Sequence, residues 1–157
     1  MKTNIKKKKF FEAGYVFAIP LKSGEFTFGL VCEGKDFAFF NYRTKDSNPP
    51  NNLQDIPLAF RVDVAKDAPL VGGWEYVDCV ELKGNYALPA KYLHKPIGSE
   101  QYFIYSAGNE EPATKIDCQN LEILSTWFSF HIEDRLDDFF SGRENKFVIA
   151  IKKQLGI

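Results

Sequence analysis

Four carboxylates at helical spacing near the C-terminus are the side chains best placed to support recognition through charge. Glu133 and Asp137, like Asp134 and Asp138, are four residues apart. Each pair therefore lies on one side of a helix and repels by roughly 0.2–0.5 kcal/mol. A helix that tolerates this repulsion can present a negative surface to a basic partner protein. Phe130, at the start of the same segment, could add an aromatic contact.

A second interpretation of the same segment stays open, in which the acids form the ordinary solvated face of an amphipathic helix. Arg135 and Arg143 would then relieve part of the repulsion. A metal site is disfavoured, because Mg²⁺ and Ca²⁺ need carboxylates from several elements or a D-x-D-x-D-G loop, and that loop pattern does not occur. We expect no cofactor and no metal.

The three cysteines and two histidines do not form a recognised reactive motif. Cys32, Cys79 and Cys118 are far apart and include no C-x-x-C pair, so we predict free thiols in a reducing cytoplasm. His131 lies within one turn of Asp134, and His94 lies between prolines, but neither belongs to a nucleophile motif. A small hydrolase that uses one of these histidines is therefore a weak hypothesis, weaker than the two binding functions considered below. We expect that the protein is not an enzyme.

An aromatic run allows a second hypothesis, a small nucleic-acid-binding barrel. Phe37, Phe39, Phe40 and Tyr42 could stack on the bases of a single strand. The charge distribution argues against it. Five lysines lie within residues 1–9, and from residue 10 onward 15 basic and 21 acidic residues give a net charge of −6. Because nucleic-acid affinity depends on neutralising phosphates, the run is better interpreted as a core strand, and a basic protein is the expected partner.

The elements that position these side chains begin with a hairpin over residues 14–31. Two runs rich in β-branched and aromatic residues flank a polar break at residues 22–25, where Gly24 can adopt the positive φ of a tight turn. The first arm, residues 16–21, is continuously apolar and predicts a strand covered on both faces. No run of 18 or more apolar residues occurs, so we expect no membrane span.

Further strands are predicted over residues 37–42, 58–65, 74–82, 102–106 and 121–125, with a long Pro/Asn-rich loop over 44–57. In 58–65 the alternation of apolar residues with Arg61 and Asp63 predicts one wet face. Residues 88–98 are expected to be irregular, and 108–112 to form a turn.

The one clear helix is predicted over about 130–141, with Ser129 as its N-cap and Gly142 after its end. Its apolar arc contains Phe128, Ile132, Leu136, Phe139 and Phe140. Residues 147–151 predict a final strand. The predicted fold is α+β, mostly antiparallel, as a small twisted sheet or partly open barrel. We expect residues 1–9 to form a basic flexible tail and residues 10–157 a single domain.

The sequence of the hairpin also contains a motif typical of a protein family. It contains Gly14-x-Val16-Phe17-Ala18-Ile19-Pro20-Leu21, then Gly24, then Phe28-Gly29-x-Val31. With this motif the chain resembles the immunity protein 26 family, whose members are encoded beside polymorphic toxins in bacteria. Tyr15 departs from the acidic residue expected there. Further matches, from about residue 10 to 150, are Trp74, Pro89, Leu121-Glu122, Trp127, Arg135-Leu136, Gly142 and Asn145.

The resemblance implies a bacterial cytoplasmic protein that binds and neutralises a cognate toxin by direct contact, without catalysis. Combined with the negative body, it makes the acidic helix the expected toxin-binding surface, formed by Glu133, Asp134, Asp137, Asp138 and Phe130. The oligomeric state is not indicated by any pattern in the sequence.

Overall fold

The hairpin predicted over residues 14–31 lies at the centre of the fold. In a computed structural model, which describes residues 10–157, β1 (Tyr15–Pro20) and β2 (Phe26–Val31) pair antiparallel with Val16 opposite Leu30. Gly24 takes a φ of +88° in the turn. The hairpin prediction is confirmed, while the predicted tail at residues 1–9 lies outside the described residues.

Eight further strands and four helices follow. The strands are β3 (Phe37–Phe40), β4 (Leu58–Val64), β5 (Glu75–Cys79), β6 (Tyr92–His94), β7 (Tyr102–Ser106), β8 (Asn109–Ala113), β9 (Glu122–Ile123) and β10 (Thr126–Trp127). The helices are α1 (Ala68–Gly72), α2 (Lys115–Cys118), α3 (Ser129–Ser141) and α4 (Lys146–Leu155). Single 3-10 turns occur at Leu53–Asp55 and Gly84–Ala87.

The strands form two open sheets, ordered β10-β4-β3-β2-β1-β5 and β8-β7-β6-β9. Every pairing is antiparallel except β10 with β4 and β6 with β9. The predicted α+β, mostly antiparallel class is confirmed. Of the two predicted forms, a small twisted sheet or a partly open barrel, the structure agrees with the sheet, because neither sheet closes.

The larger sheet is buried on both faces, which explains its aromatic-rich sequence. One face packs Phe17, Phe37 and Phe39 against Ile132 and Leu136 of α3. The other face packs a second cluster under the loop that precedes β4 and the segment that follows β5, with Val16, Ala18, Phe28, Leu30, Ala38, Phe40 and Leu53 as its buried members. The prediction that the first hairpin arm is covered on both faces is therefore confirmed.

The predicted final strand is wrong, because residues 146–155 form helix α4. The Asn145 side chain accepts hydrogen bonds from the backbone N–H groups of Phe147 and Val148 and caps the helix start. Phe147, Val148 and Ile151 then lie on one helical face and pack against the core. A short apolar run is compatible with either a strand or a buried helix, and here the cap and the three-to-four-residue spacing favour the helix.

Two of the four strands of the smaller sheet come from segments with little strand pattern, β6 and β8. Residues 92–94 lie within the stretch expected to be irregular, yet they pair with both β7 and β9. Of the predicted turn at residues 108–112, only Gly108 lies in a turn, and residues 109–112 belong to β8. The chain reverses at Ala107 and Gly108, both with positive φ. The polar sequence of β8 suits its position at a sheet edge, where charges and Pro112 discourage further pairing.

The prediction that one face of β4 is exposed to solvent is wrong at Arg61, which is buried. Its side chain is only 10% exposed and donates from Nε and Nη2 to the two carboxylate oxygens of Asp36, at 2.7 and 2.9 Å. The hydroxyl of Tyr92, on β6, donates to the same carboxylate. The ion pair therefore ties β4 to the β2–β3 turn within the larger sheet, and the Tyr92 hydrogen bond joins that turn to the smaller sheet.

None of the helices within residues 10–157 has the length and apolar character required to cross a membrane.

Candidate protein-binding surface

Helix α3 is fixed by its buried arc and by its C-terminal glycine. Ile132 and Leu136 are fully buried against the larger sheet. Gly142 adopts a φ of +70°, as expected of a glycine that ends a helix. The backbone N–H of Arg143, the next residue, donates to the backbone carbonyl oxygen of Asp138 at 2.9 Å. The predicted N-cap is displaced by one residue: Phe128 occupies that position, without a side-chain cap, and Ser129 is the first helical residue.

The apolar arc predicted for α3 is narrower than expected. Phe140 is partly buried against the core, but Phe128 and Phe139 are exposed. Since these two rings lie at the ends of the buried stripe, the sheet does not reach them. The helix therefore leaves aromatic rings in solvent at both of its ends.

Each of the four predicted acids contacts a donor from another part of the chain. Asp134 lies 3.7 Å from the ammonium of Lys22, and Asp137 accepts the Lys22 backbone N–H at 3.2 Å. Asp138 accepts from Arg143 at 3.2 Å and from Asn145 at 3.0 Å. The structure brings the acids together on one outer side of α3, half-buried rather than fully solvated.

Lys22 belongs to the turn of the β1–β2 hairpin, so that turn lies beside the outer side of α3. Sequence analysis treated the turn only as a connection between two strands. A lysine in a tight turn carries no sequence signal for a contact with residues more than a hundred positions away. The contact arises from the tertiary fold, which packs the larger sheet, and with it the hairpin turn, against α3.

Glu133 differs from the other three acids because it points toward α1. Its Oε2 accepts the indole N–H of Trp74 at 3.1 Å, and Gly72 lies close beside it. Burial raises the pKa of Glu133 above its usual value, and the Trp74 hydrogen bond opposes that shift. Glu133 therefore connects α3 to α1 in addition to contributing charge.

The expected relief of repulsion by arginines is correct for one of the two. Arg143 pairs with Asp138. Arg135 does not contact the acids: it forms two hydrogen bonds with Glu122 at 2.6 and 3.1 Å, and its guanidinium lies 4.0 Å from the ring centroid of Phe60. Arg135 is thus part of the packing between α3 and the sheets.

Exposed aromatic rings lie next to the acids at the start of α3. Phe130, the predicted aromatic contact, is 58% exposed, and Phe128 is 50% exposed. Their rings are nearly parallel, with centroids 6.4 Å apart. The centroid of the His131 imidazole lies 4.0 Å from that of the Phe130 ring. The helical spacing puts Phe130 on the side that carries Glu133, Asp134 and Asp137. An exposed ring bordered by polar groups can serve as an interface anchor, because the partner can bury the ring while the surrounding contacts exclude water.

The two histidines lie in different surroundings. His131 is enclosed by aromatic rings, including Phe147 at 4.1 Å, and burial lowers its pKa. His94 pairs through Nδ1 with Glu110 across the smaller sheet. Within residues 10–157 no hydrogen bond joins either imidazole to a hydroxyl or thiol, so the arrangement needed by the hydrolase hypothesis is missing from that part of the chain.

The aromatic run proposed as a nucleic-acid platform is inside the protein. Phe37, Phe39 and Phe40 are fully buried, and Tyr42 packs at the edge of the second cluster. Base stacking requires an accessible ring face, which these three residues do not offer. The interpretation of this run as a core strand is confirmed.

Comparison with models of known protein families identifies a match for more than half of the chain. A family model described as Immunity protein 26 matches residues 12–103, more than half of the chain. No curated protein and no solved structure matches the chain. The matched region contains the hairpin motif and the larger sheet up to β5, and it ends before α3.

Proposed function

The chain belongs to the immunity protein 26 family, and on that premise we propose that it neutralises a cognate polymorphic toxin by direct binding, without catalysis, in the bacterial cytoplasm. An immunity protein protects a cell by holding its toxin in an inactive complex. Three free thiols, at Cys32, Cys79 and Cys118, are consistent with a reducing compartment.

The proposed toxin-binding surface is the outer side of α3, formed by Phe130, Glu133, Asp134, Asp137 and Asp138. The observation that carries it is the exposure of Phe130 on the side of the helix that holds the acids. An exposed aromatic anchor supplies contact area, while neighbouring carboxylates steer a basic partner and select it. Since toxin domains that act on nucleic acid need basic surfaces, an acidic inhibitor can cover such a surface.

The contacts within the chain decide which acids a test can change. Glu133→Gln keeps an acceptor for Trp74, and Asp134→Asn and Asp137→Asn keep acceptors for Lys22. Asp138 holds both Arg143 and Asn145, so changing it would disturb the α3–α4 connection as well as the surface. The informative variant is therefore the triple substitution of the first three acids.

Association of the purified toxin domain should be measured by stopped-flow or surface plasmon resonance over a range of salt concentrations. We expect the triple variant to associate about tenfold more slowly at low salt and to show a weaker salt dependence. Phe130→Ala should cost about 2 kcal/mol of affinity, mainly through faster dissociation.

The matched control replaces three exposed acids elsewhere, Glu81, Glu100 and Glu111, by Gln. It changes the net charge equally but leaves α3 intact. Equal slowing by the control would show that only net charge matters. Binding by both α3 variants that is indistinguishable from that of the parent would show that the toxin docks on another surface.

A further inference from the structure

A groove next to the acidic side of α3, with Asp138 at the boundary between the two, runs between α3, α4 and the start of β4. Its volume is about 610 Å³. Ala59 and Phe60 form its floor, Phe139 belongs to one wall, and Val148 and Ile149 belong to the other. Because α4 was predicted as a strand, sequence analysis gave no indication of this groove.

Three of the apolar side chains in the groove remain exposed. Phe139 is 37% exposed, Ile149 is 48% exposed and Ile157 is 40% exposed. Scattered apolar residues on a surface need no explanation, but apolar residues that converge on one concavity indicate a binding surface. A groove along a helix pair accommodates an extended or helical segment that inserts apolar side chains.

The rim of the groove is basic. Its cations are Arg135, Arg143, Lys152 and Lys153, and its anions are Asp138 and Glu144. Arg135 and Arg143 are already paired, with Glu122 and Asp138. Within residues 10–157 neither Lys152 nor Lys153 forms an ion pair, so their two positive charges remain available at the last turn of α4.

We infer that this groove binds an acidic amphipathic segment of a partner protein. Apolar side chains of the segment fill the space between Phe139, Val148 and Ile149, and its carboxylates meet Lys152 and Lys153. The sign of the charge is opposite to that on the outer side of α3. One protein thus offers two neighbouring surfaces of opposite charge, and the groove inference does not rest on the proposed toxin contact.

The probe is a short fluorescein-labelled helical peptide of Leu and Glu, and its counterpart replaces every Glu by Lys. Fluorescence anisotropy with the full chain should show binding of the Glu peptide only. Lys152→Glu with Lys153→Glu should weaken this binding about tenfold, since each lost rim contact is small and charge reversal adds repulsion. Ile149→Ser should weaken it without changing the net charge.

The matched control is Lys115→Glu with Lys146→Glu, two exposed lysines outside the groove. It should bind the Glu peptide like the parent, and circular dichroism should show that every variant is folded. Equal weakening by the control, or equal binding of the Lys peptide, would overturn the inference. So would failure of the Glu peptide to bind, competition by an oligonucleotide, or a dimer of the parent chain that Ile149→Ser abolishes.

Discussion

The ion pair between Arg61 and Asp36 should be a major contributor to stability. The guanidinium donates twice to the Asp36 carboxylate and also to the backbone oxygens of Glu33, Asn85 and Leu88, at 3.3, 2.9 and 2.8 Å. Arg61→Met removes all five hydrogen bonds. It also leaves Asp36, whose side chain is 8% exposed, with only the Tyr92 hydroxyl among these donors.

Breaking one side of a buried ion pair costs about 3–5 kcal/mol, because the remaining charge stays desolvated. For a chain of this length that corresponds to a fall in Tm of roughly 6–20 °C. Urea denaturation with linear extrapolation measures the free energy of unfolding directly. Asp36→Leu combined with Arg61→Met should cost less than the sum of the single changes, with a coupling of about 2 kcal/mol.

The exposed pair Arg43–Glu25, at 3.7 Å, provides the comparison. Arg43→Met should cost no more than about 1 kcal/mol. If Arg61→Met costs as little as Arg43→Met, the buried ion pair is not a major contributor to stability and the argument fails.

Three further predictions follow from single side chains. Burial lowers the pKa of His131, so the stability that its neutral imidazole contributes is complete above the unfolded pKa of about 6.5 and is lost as the pH falls through the folded pKa. In urea titrations between about pH 7 and pH 5, His131→Phe should therefore lose less stability than the parent, and equal losses would contradict this. Gly14 has a φ of +97°, and a Cβ there would lie 2.5 Å from the backbone oxygen of Val80, so Gly14→Ala should destabilise by about 2–3 kcal/mol; a loss below about 0.5 kcal/mol would refute the steric argument. Burial raises the pKa of the Cys32 thiol to about 12, so a disulfide reagent at neutral pH should modify exposed Cys79 in the folded protein and Cys32 only after unfolding.

The parts of the fold that the sequence predicted are those with strong local patterns. The β1–β2 hairpin combines two apolar arms with a glycine turn, and α3 combines an apolar arc with a terminal glycine. In both cases tertiary packing agrees with the local pattern, so the prediction and the structure coincide. Gly14, the first residue of the motif in this chain, has a physical reason to be glycine: the close approach of Val80 and a positive φ leave no room for a side chain.

The wrong predictions arose where two physical patterns compete. In residues 147–151 a continuous apolar run outweighed the Asn145 cap, the two lysines in the last turn and Gly156, all of which are helix signals. In β8 a polar edge strand has no hydrophobic alternation from which it could be predicted. The alternation of β4 predicts that Arg61 faces solvent, because its partner, the carboxylate of Asp36, lies 25 positions away in the sequence.

The acidic surface was predicted in composition but not in arrangement. Spacing alone put the four carboxylates on one side of a helix. It could not show that Lys22, Trp74 and Arg143 each contact one or more of them, because these donors come from three different segments. The proposed interface is consequently Phe130 with a half-buried acidic border rather than a freely solvated acidic face.

The central claim is that this chain neutralises its toxin by binding it. The most direct measurement is a titration of the purified cognate toxin domain with the full chain, with binding followed by calorimetry and toxin activity followed in the same samples. We predict a stable complex of fixed stoichiometry and loss of toxin activity in proportion to the complex formed. Full toxin activity with a saturating excess of the chain, or the absence of any complex, would contradict the claim.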